Sequence, residues 1–161
     1  MGRRMELTFR DVRAVMAGLA IASVAANQSA YAVVRAAGRQ PGAGSRSVWA
    51  GVYTEEQAKR GQAVYREECA RCHAETLIGK EPSPPLVGEV FLTAWNKASA
   101  ADLFEQLRLT MPQDHPGKLS IKQYTEVIAY LFKANQFPTG DKDLDPDLAA
   151  LKLIQIDQIK P

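Results

Sequence analysis

The chain contains only two cysteines and two histidines, and three of these four residues lie together in the sequence Cys69-Ala-Arg-Cys72-His73. Two thiols at this spacing can reach the two vinyl groups on one edge of a porphyrin and form thioether bonds. The histidine directly after the second cysteine is then carried under the iron as the proximal ligand. The spacing therefore predicts one covalently bound haem c, with Cys69 and Cys72 as anchors and His73 as an iron ligand.

Three other interpretations of these residues are less favourable. A redox-active dithiol needs no histidine and is expected in a βαβ setting, which the surrounding sequence does not suggest. A structural zinc site needs four ligands, and His115 is the only further histidine or cysteine that the chain could supply. A disulfide between Cys69 and Cys72 would close so short a loop that it would stabilise the fold very little.

A low-spin haem that carries electrons also needs a ligand on its second face, and the candidates are Met111 and His115. Met111 is the only methionine beyond residue 32, and Pro112 must end a helix directly after it. His115 stands among Asp114, Pro116 and Gly117, a composition typical of an exposed turn. We therefore predict Met111 as the second iron ligand. The alternative is an open sixth position, as in a haem enzyme or a gas-binding sensor.

Residues 1–32 have the pattern of a secretory signal peptide. Four arginines precede the uncharged run 14–26, and Ala30-Tyr31-Ala32 has the small-x-small form of a cleavage site. The run is shorter than the roughly 20 residues that span a bilayer, so we expect no transmembrane segment after cleavage. The expected location is the periplasm, which agrees with the attachment of haem c outside the cytoplasm. Residues 33–52 predict a flexible lead-in.

Composition is that of one globular domain, with 161 residues of which 46% are hydrophobic and 24% charged. The formal net charge is +2, far below the basic footprint of a nucleic-acid-binding protein. Cleavage after Ala32 would leave 16 basic and 16 acidic residues. The mature chain is therefore expected to be close to neutral, without strong electrostatic steering by net charge.

Three capping patterns predict the main helices of the body, residues 53–137. A hydroxyl residue is followed three positions later by a polar or acidic side chain at Thr54 and Gln57, at Ser99 and Asp102, and at Ser120 and Gln123. Apolar residues at helical spacing follow each pair. The intervening segment, with Pro82, Pro84 and Pro85, is expected to be mostly loop, with a short helix near residues 91–95. The body is thus predicted to be all-α, with long loops around a covalently attached haem.

The order of these parts resembles the class I c-type cytochromes: a helix with Gly61 and Tyr65, the Cys69 to His73 motif, a proline loop, Met111-Pro112, and a last helix with Tyr130. The resemblance implies that the first and last helices cross at Gly61, with the two tyrosines packed around the crossing. It also implies a proline whose carbonyl accepts a hydrogen bond from the haem histidine. Pro85 matches that proline by position, with Pro84 as the alternative.

A narrower resemblance is to the small exported cytochromes found alongside bacterial quinoprotein alcohol dehydrogenases. It is carried by residues 49–60, Phe91-Leu-Thr-Ala-Trp95 and the segment 110–117. It implies that Trp95 donates a hydrogen bond to a haem propionate. It also implies a single-electron carrier rather than an enzyme, with a quinoprotein dehydrogenase as a possible donor and a terminal oxidase or another cytochrome as acceptor.

The tail, residues 138–161, is longer than a minimal cytochrome needs. Asp145-Pro146 predicts the start of a short helix, with Leu148 and Leu151 on one face, and the apolar residues 153–156 are predicted to be extended. So many apolar residues are expected to pack against a protein surface and be buried there. We expect the tail to wrap the surface of its own domain, with an interface to a partner protein as the alternative.

Overall fold

The computed structural model of the protein describes residues 44–161. Its elements are β1 (Arg46–Ser47), a 3₁₀ helix (Val48–Ala50), α1 (Glu55–Glu68), α2 (Ala70–His73), α3 (Gly88–Trp95), α4 (Ala100–Thr110), α5 (Ile121–Ala134), α6 (Leu148–Lys152) and β2 (Ile154–Gln155). The predicted all-α class with three main helices is confirmed. The predicted signal peptide and residues 33–43 of the lead-in lie outside the described residues. Among residues 44–161, no helix combines the length and the apolar composition that crossing a membrane requires.

The three long helices start where the capping patterns predict. The side chains of Thr54, Ser99 and Ser120 accept hydrogen bonds from the backbone N–H three residues later, and the last two form complete capping boxes. Each bond satisfies a helix-start amide that would otherwise lack a partner. The starts of α1, α4 and α5 are therefore encoded locally, which is why the sequence alone located them.

Helices α1 and α5 cross at Gly61, as the family resemblance implied. A Cβ atom at Gly61 would overlap the backbone carbonyl of Glu126, so only glycine lets the two helix backbones come this close. The rings of Tyr65 and Tyr130 pack beside the crossing with their centroids 5.3 Å apart. This crossing forms the centre of the core and fixes one wall of the site described below.

The prediction that residues 33–52 form a flexible lead-in is wrong for residues 46–52. Residues 46–50 form β1 and the 3₁₀ helix, and Val48 and Val52 are almost fully buried. The indole of Trp49 donates a hydrogen bond to the carbonyl of Asp157 at 2.9 Å and packs edge-on against Phe137. The partners of Trp49 lie 88 and 108 residues further along the chain, so no local pattern could reveal them.

The tail packs on its own domain. Its residues Leu144, Leu151, Ile154 and Ile156 have exposed fractions of 1% or less. β2 pairs in parallel with β1, and backbone hydrogen bonds join Ile156 to the segment between α3 and α4. The short helix α6 begins two residues later than Asp145 would suggest, because the side chain of Asp147 accepts the hydrogen bonds that cap it. We call residues 144–157 the C-terminal strap.

Replacement of Leu151 by alanine is expected to lower the free energy of unfolding by about 2–5 kcal/mol, the usual cost of truncating a fully buried leucine. Leu148 lies on the same short helix but is 38% exposed, so Leu148→Ala serves as the matched control and should cost clearly less. Denaturant unfolding followed by circular dichroism measures both. Equal losses in the two variants would show that the strap does not pack as described.

Candidate haem site

The cysteine motif lies at the junction of α1 and α2. Cys69 is half-buried between the two helices, and Cys72 is exposed. Burial, with a further contribution from the negative charge of Glu68, raises the pKa of the Cys69 thiol to about 11. At neutral pH Cys69 is therefore a protonated thiol, unlike the thiolate of a redox-active dithiol. The two cysteines are placed as attachment points at the edge of a cavity.

His73, the last residue of α2, is buried with an exposed fraction of 7%. Its Nδ1 lies 3.0 Å from the carbonyl oxygen of Pro84. A carbonyl can only accept, so Nδ1 carries the proton and donates the hydrogen bond. The tautomer that this bond selects leaves the lone pair of Nε2 available to bind a metal.

The prediction of Pro85 as the partner of His73 is wrong by one residue. The chain from Gly79 to Pro84 folds back on itself, and Gly79 both donates to the carbonyl of His73 and lies against the backbone of Pro84. Gly79 has a φ of +78°, and a Cβ there would overlap the backbone of Ser83. The tight turn at Gly79 therefore determines that the carbonyl of Pro84, rather than that of Pro85, accepts the hydrogen bond from His73.

Met111 lies directly after α4, half-buried, and Pro112 follows it. Its backbone is fixed on both sides, because its N–H donates to the carbonyl of Leu107 and its own carbonyl accepts from the hydroxyl of Tyr124 at 2.7 Å. Met111 lines the same cavity as Cys69, Cys72 and His73.

His115, the competing ligand candidate, has a side chain that is 73% exposed. It is not among the described residues that line the cavity. Among residues 44–161, no cluster of three or more histidine, cysteine or acidic side chains is placed to hold a metal ion by itself. This arrangement disfavours the zinc interpretation, and it favours Met111 over His115 as the second ligand.

The cavity that these residues share has a volume of about 580 Å³, within the range of cofactor sites. Most of its wall is apolar and comes from three helices: Phe91 of α3, Leu103 and Leu107 of α4, and Val127 and Leu131 of α5. Such a wall excludes water and lowers the local dielectric. It suits a flat apolar ring system that is attached at one edge.

Trp95, at the end of α3, also lines the cavity and is half-buried. It packs against Phe91 with ring centroids 6.4 Å apart. The C-terminal strap stabilises the segment behind it, since Lys97 N–H donates to the carbonyl of Ile156 and Lys97 Nζ pairs with Asp157. The indole is thus placed at the cavity wall. Its hydrogen bond to a propionate stays a prediction.

Several residues of the site were not predicted from the sequence as site residues. Tyr124, a buried residue of α5, is one of them, and no spacing in the sequence distinguishes it from the other apolar residues of that helix. The two acidic residues of the cavity wall, Glu68 and Asp114, are each paired with a cation, Lys118 and Arg71 respectively. The hydrogen bond from the Arg71 guanidinium holds the pKa of Asp114 below its ordinary value. No sequence pattern links these charged partners, because they lie 43 to 50 residues apart.

The residues present fit a haem group. The thiols of Cys69 and Cys72 lie at the edge of the cavity, and the His73 imidazole, whose Nε2 is available as a ligand, lines it. The thioether of Met111 lines the same cavity, and most of the remaining wall is apolar. This donor set, one nitrogen and one thioether sulfur together with two cysteines three positions apart, is the set that holds a haem c with histidine and methionine as iron ligands.

Residues 56–131 match the protein-family model described as cytochrome c oxidase, cbb3-type, subunit III. No curated protein and no solved structure matches the chain. The matched region begins within α1 and ends within α5, so it contains the cysteine motif, the cavity and Met111. Proteins of this kind bind haem and pass electrons between redox partners. With its Cys-x-x-Cys-His motif, its helix crossing at Gly61 and this match, the chain is a class I c-type cytochrome over residues 56–131.

Proposed function

We propose that the protein is an exported electron carrier that holds one haem c, with thioether bonds to Cys69 and Cys72 and with His73 and Met111 as iron ligands. The observation that carries the proposal is the meeting of all four side chains at one apolar cavity. Haem c, when bound, supplies a metal centre that takes up and releases one electron. The chain binds it, sets its potential and controls its access to water.

Each part of the chain has a task in this proposal. The Pro84 carbonyl orients the His73 ring and raises its basicity toward a metal. The Tyr124 hydroxyl orients the backbone of Met111, whose thioether favours the reduced state and so raises the potential. Cys72 is exposed, so the attached edge of the cavity reaches the surface and can meet a redox partner there.

The cavity wall argues for an electron carrier rather than a haem enzyme. Of the described residues that line it, His73 is the only histidine, and both carboxylates are already paired with cations. A peroxidase-like reaction needs a spare acid or base beside the iron. Neither Glu68 nor Asp114 is free to take that role.

The partners and the location belong to this proposal. We infer export to the periplasm from the N-terminal pattern of residues 1–32. The donor is a quinoprotein dehydrogenase, and the acceptor is a terminal oxidase or another cytochrome. The matching family description, that of an oxidase subunit, favours the oxidase as acceptor. The tail is a poor candidate for the docking surface, because most of its apolar side chains are buried against its own domain.

Absorption spectra of the haem-loaded protein, oxidised and reduced, test the proposal. We expect a c-type reduced spectrum and, in the oxidised form, the far-red band of a sulfur-ligated haem. Met111→Ala should lose that band completely, and His115→Ala, the matched control, should keep it. A high-spin oxidised spectrum in the unaltered protein, with rapid binding of carbon monoxide after reduction, would instead establish an open iron site.

A further inference from the structure

Two ion pairs join the cysteine segment to the loop that follows Met111. Arg71, between the two cysteines, lies 2.7 Å from Asp114, and Glu68, directly before Cys69, lies 2.6 Å from Lys118. Within the described residues, these are the hydrogen-bonded contacts that connect segment 68–73 with segment 112–118. The His73 side and the Met111 side of the cavity are thus tied together by charge.

The loop has little else to keep it in place. Its ends are buried at Pro112 and Leu119, but every residue from 113 to 118 is exposed. The backbone hydrogen bonds of His115 and Lys118 stay within the loop and shape its turn. Apolar packing therefore fixes the two ends, and the outer part of the loop depends on the two ion pairs.

Building on the proposed function, we propose that these two ion pairs act as a latch that keeps the loop closed and so holds the Met111 sulfur at its ligand position. Arg71, Asp114, Glu68 and Lys118 are positioning residues in this proposal, since they act through Met111. Opening of the latch frees the loop beyond Pro112, so that Met111 is held only by its backbone hydrogen bonds to Leu107 and Tyr124, and its thioether leaves more readily. The same cavity then has an accessible iron position.

Each ion pair of the latch joins one charge on the cysteine segment to the opposite charge on the loop. The latch can therefore be tested by reversing the charges of one pair. Asp114→Arg places two cations opposite each other and should open the loop. The double variant Arg71→Asp/Asp114→Arg restores an attractive pair with reversed polarity and should close it again. Lys133→Glu is the matched control, because Lys133 forms an ion pair with Glu55 and neither residue lines the cavity.

The readout is the rate at which carbon monoxide binds to the reduced, haem-loaded protein, because binding requires Met111 to leave. An exposed ion pair changes such an equilibrium by up to about fivefold, and replacing attraction by repulsion adds to this, so we expect about a five- to tenfold faster rate in Asp114→Arg. The exchanged pair should return to within about twofold of the unaltered protein, and Lys133→Glu should not differ from it. Salt screens exposed pairs, so raising the ionic strength should speed binding in the unaltered protein.

The outcomes separate the latch from the proposed function. If the unaltered protein has the far-red band but Asp114→Arg binds carbon monoxide no faster, and salt has no effect, the latch is overturned and the electron carrier stands. Failure of the exchanged pair to restore the slow rate, where that variant carries haem, also overturns it. If the unaltered protein lacks the band, the Met111 ligand and the latch are both overturned. Hydrogen exchange of the amides of residues 113–118 measures opening of the loop independently of the haem. We expect these amides to exchange faster in the variants that bind carbon monoxide faster.

Discussion

A variant lacking both thiols, Cys69→Ala/Cys72→Ala, is expected to retain no covalently bound haem and to be largely unfolded when prepared without haem. The reason is the size of the cavity relative to the core. At about 24 cal/mol per Å³, an empty and rigid space of 580 Å³ would cost about 14 kcal/mol. This is an upper bound, because the cavity is open at one edge and its walls can relax, but it is comparable with the whole stability of an ordinary domain.

Loss of the haem would leave the apolar side chains of the cavity wall without the group that they pack against. Neighbouring protein side chains already bury Leu103, Val127 and Leu131, whereas Trp95, Leu107 and Met111 are only half-buried and present apolar surface to the cavity. Helices α4 and α5 are in contact through Phe104 and Tyr124, and Tyr124 also lines the cavity. Without the attached group, nothing fills the cavity beside that contact, and we expect the two helices to shift.

Far-ultraviolet circular dichroism and denaturant unfolding measure this effect, and extraction with acidified solvent reports whether any haem is covalently held. Met111→Ala is the matched control, since it removes an iron ligand but leaves both thioether anchors. It should stay folded with haem attached. A cysteine-free, haem-free protein that unfolds cooperatively at the stability of the loaded protein would contradict the expectation, because the apolar core alone would then suffice.

Local signals account for most of what the sequence predicted correctly. The starts of α1, α4 and α5 depend on side chains three residues apart, and the cysteine motif spans five residues. Patterns of this kind are complete within four or five residues, so a single sequence displays them. The crossing at Gly61 came from family resemblance, and the packing of Glu126 against it explains in physical terms why glycine is required.

The errors arise where a contact joins distant segments. Val48 and Trp49 looked flexible because their partners, such as Phe137 and Asp157, lie near the other end of the chain. Pro84 rather than Pro85 meets His73 because a turn at Gly79 shifts the register of the proline loop. The ion pairs of Arg71 and Lys118 have no periodic signature at all. Each of these features is fixed by how the folded chain returns on itself.

Replacement of Gly61 by alanine is the second change for which we expect a large effect. Alanine favours a helix over glycine by about 1 kcal/mol, so α1 taken alone would become more stable. The added Cβ, however, would overlap the carbonyl of Glu126, which belongs to the backbone of α5 and cannot rotate away as a side chain could. The helices must separate, and we expect a net loss of about 3 kcal/mol or more in the free energy of unfolding, at the upper end of the cost of overpacking.

The matched control is Ala63→Gly, at an exposed position two residues along α1. It makes the opposite replacement where no helix packs, and it should lose only about 1 kcal/mol through helix propensity. Thermal unfolding of the haem-loaded proteins should place Gly61→Ala lower than the unaltered protein by about 10 °C or more, and Ala63→Gly lower by only a few degrees.

Separation of the two helices should also be visible at the haem site. Tyr65 on α1 and Val127 on α5 flank the crossing and both line the cavity, so a wider crossing means a wider cavity. We therefore expect Gly61→Ala to weaken the far-red band of the oxidised protein as well as its stability, whereas Ala63→Gly lowers stability slightly and leaves the band unchanged. A variant Gly61→Ala with the stability and the spectrum of the unaltered protein would show that the helices do not meet at this glycine. The family resemblance would then rest on the cysteine motif alone, without the crossing of α1 and α5 that positions the cavity walls around that motif.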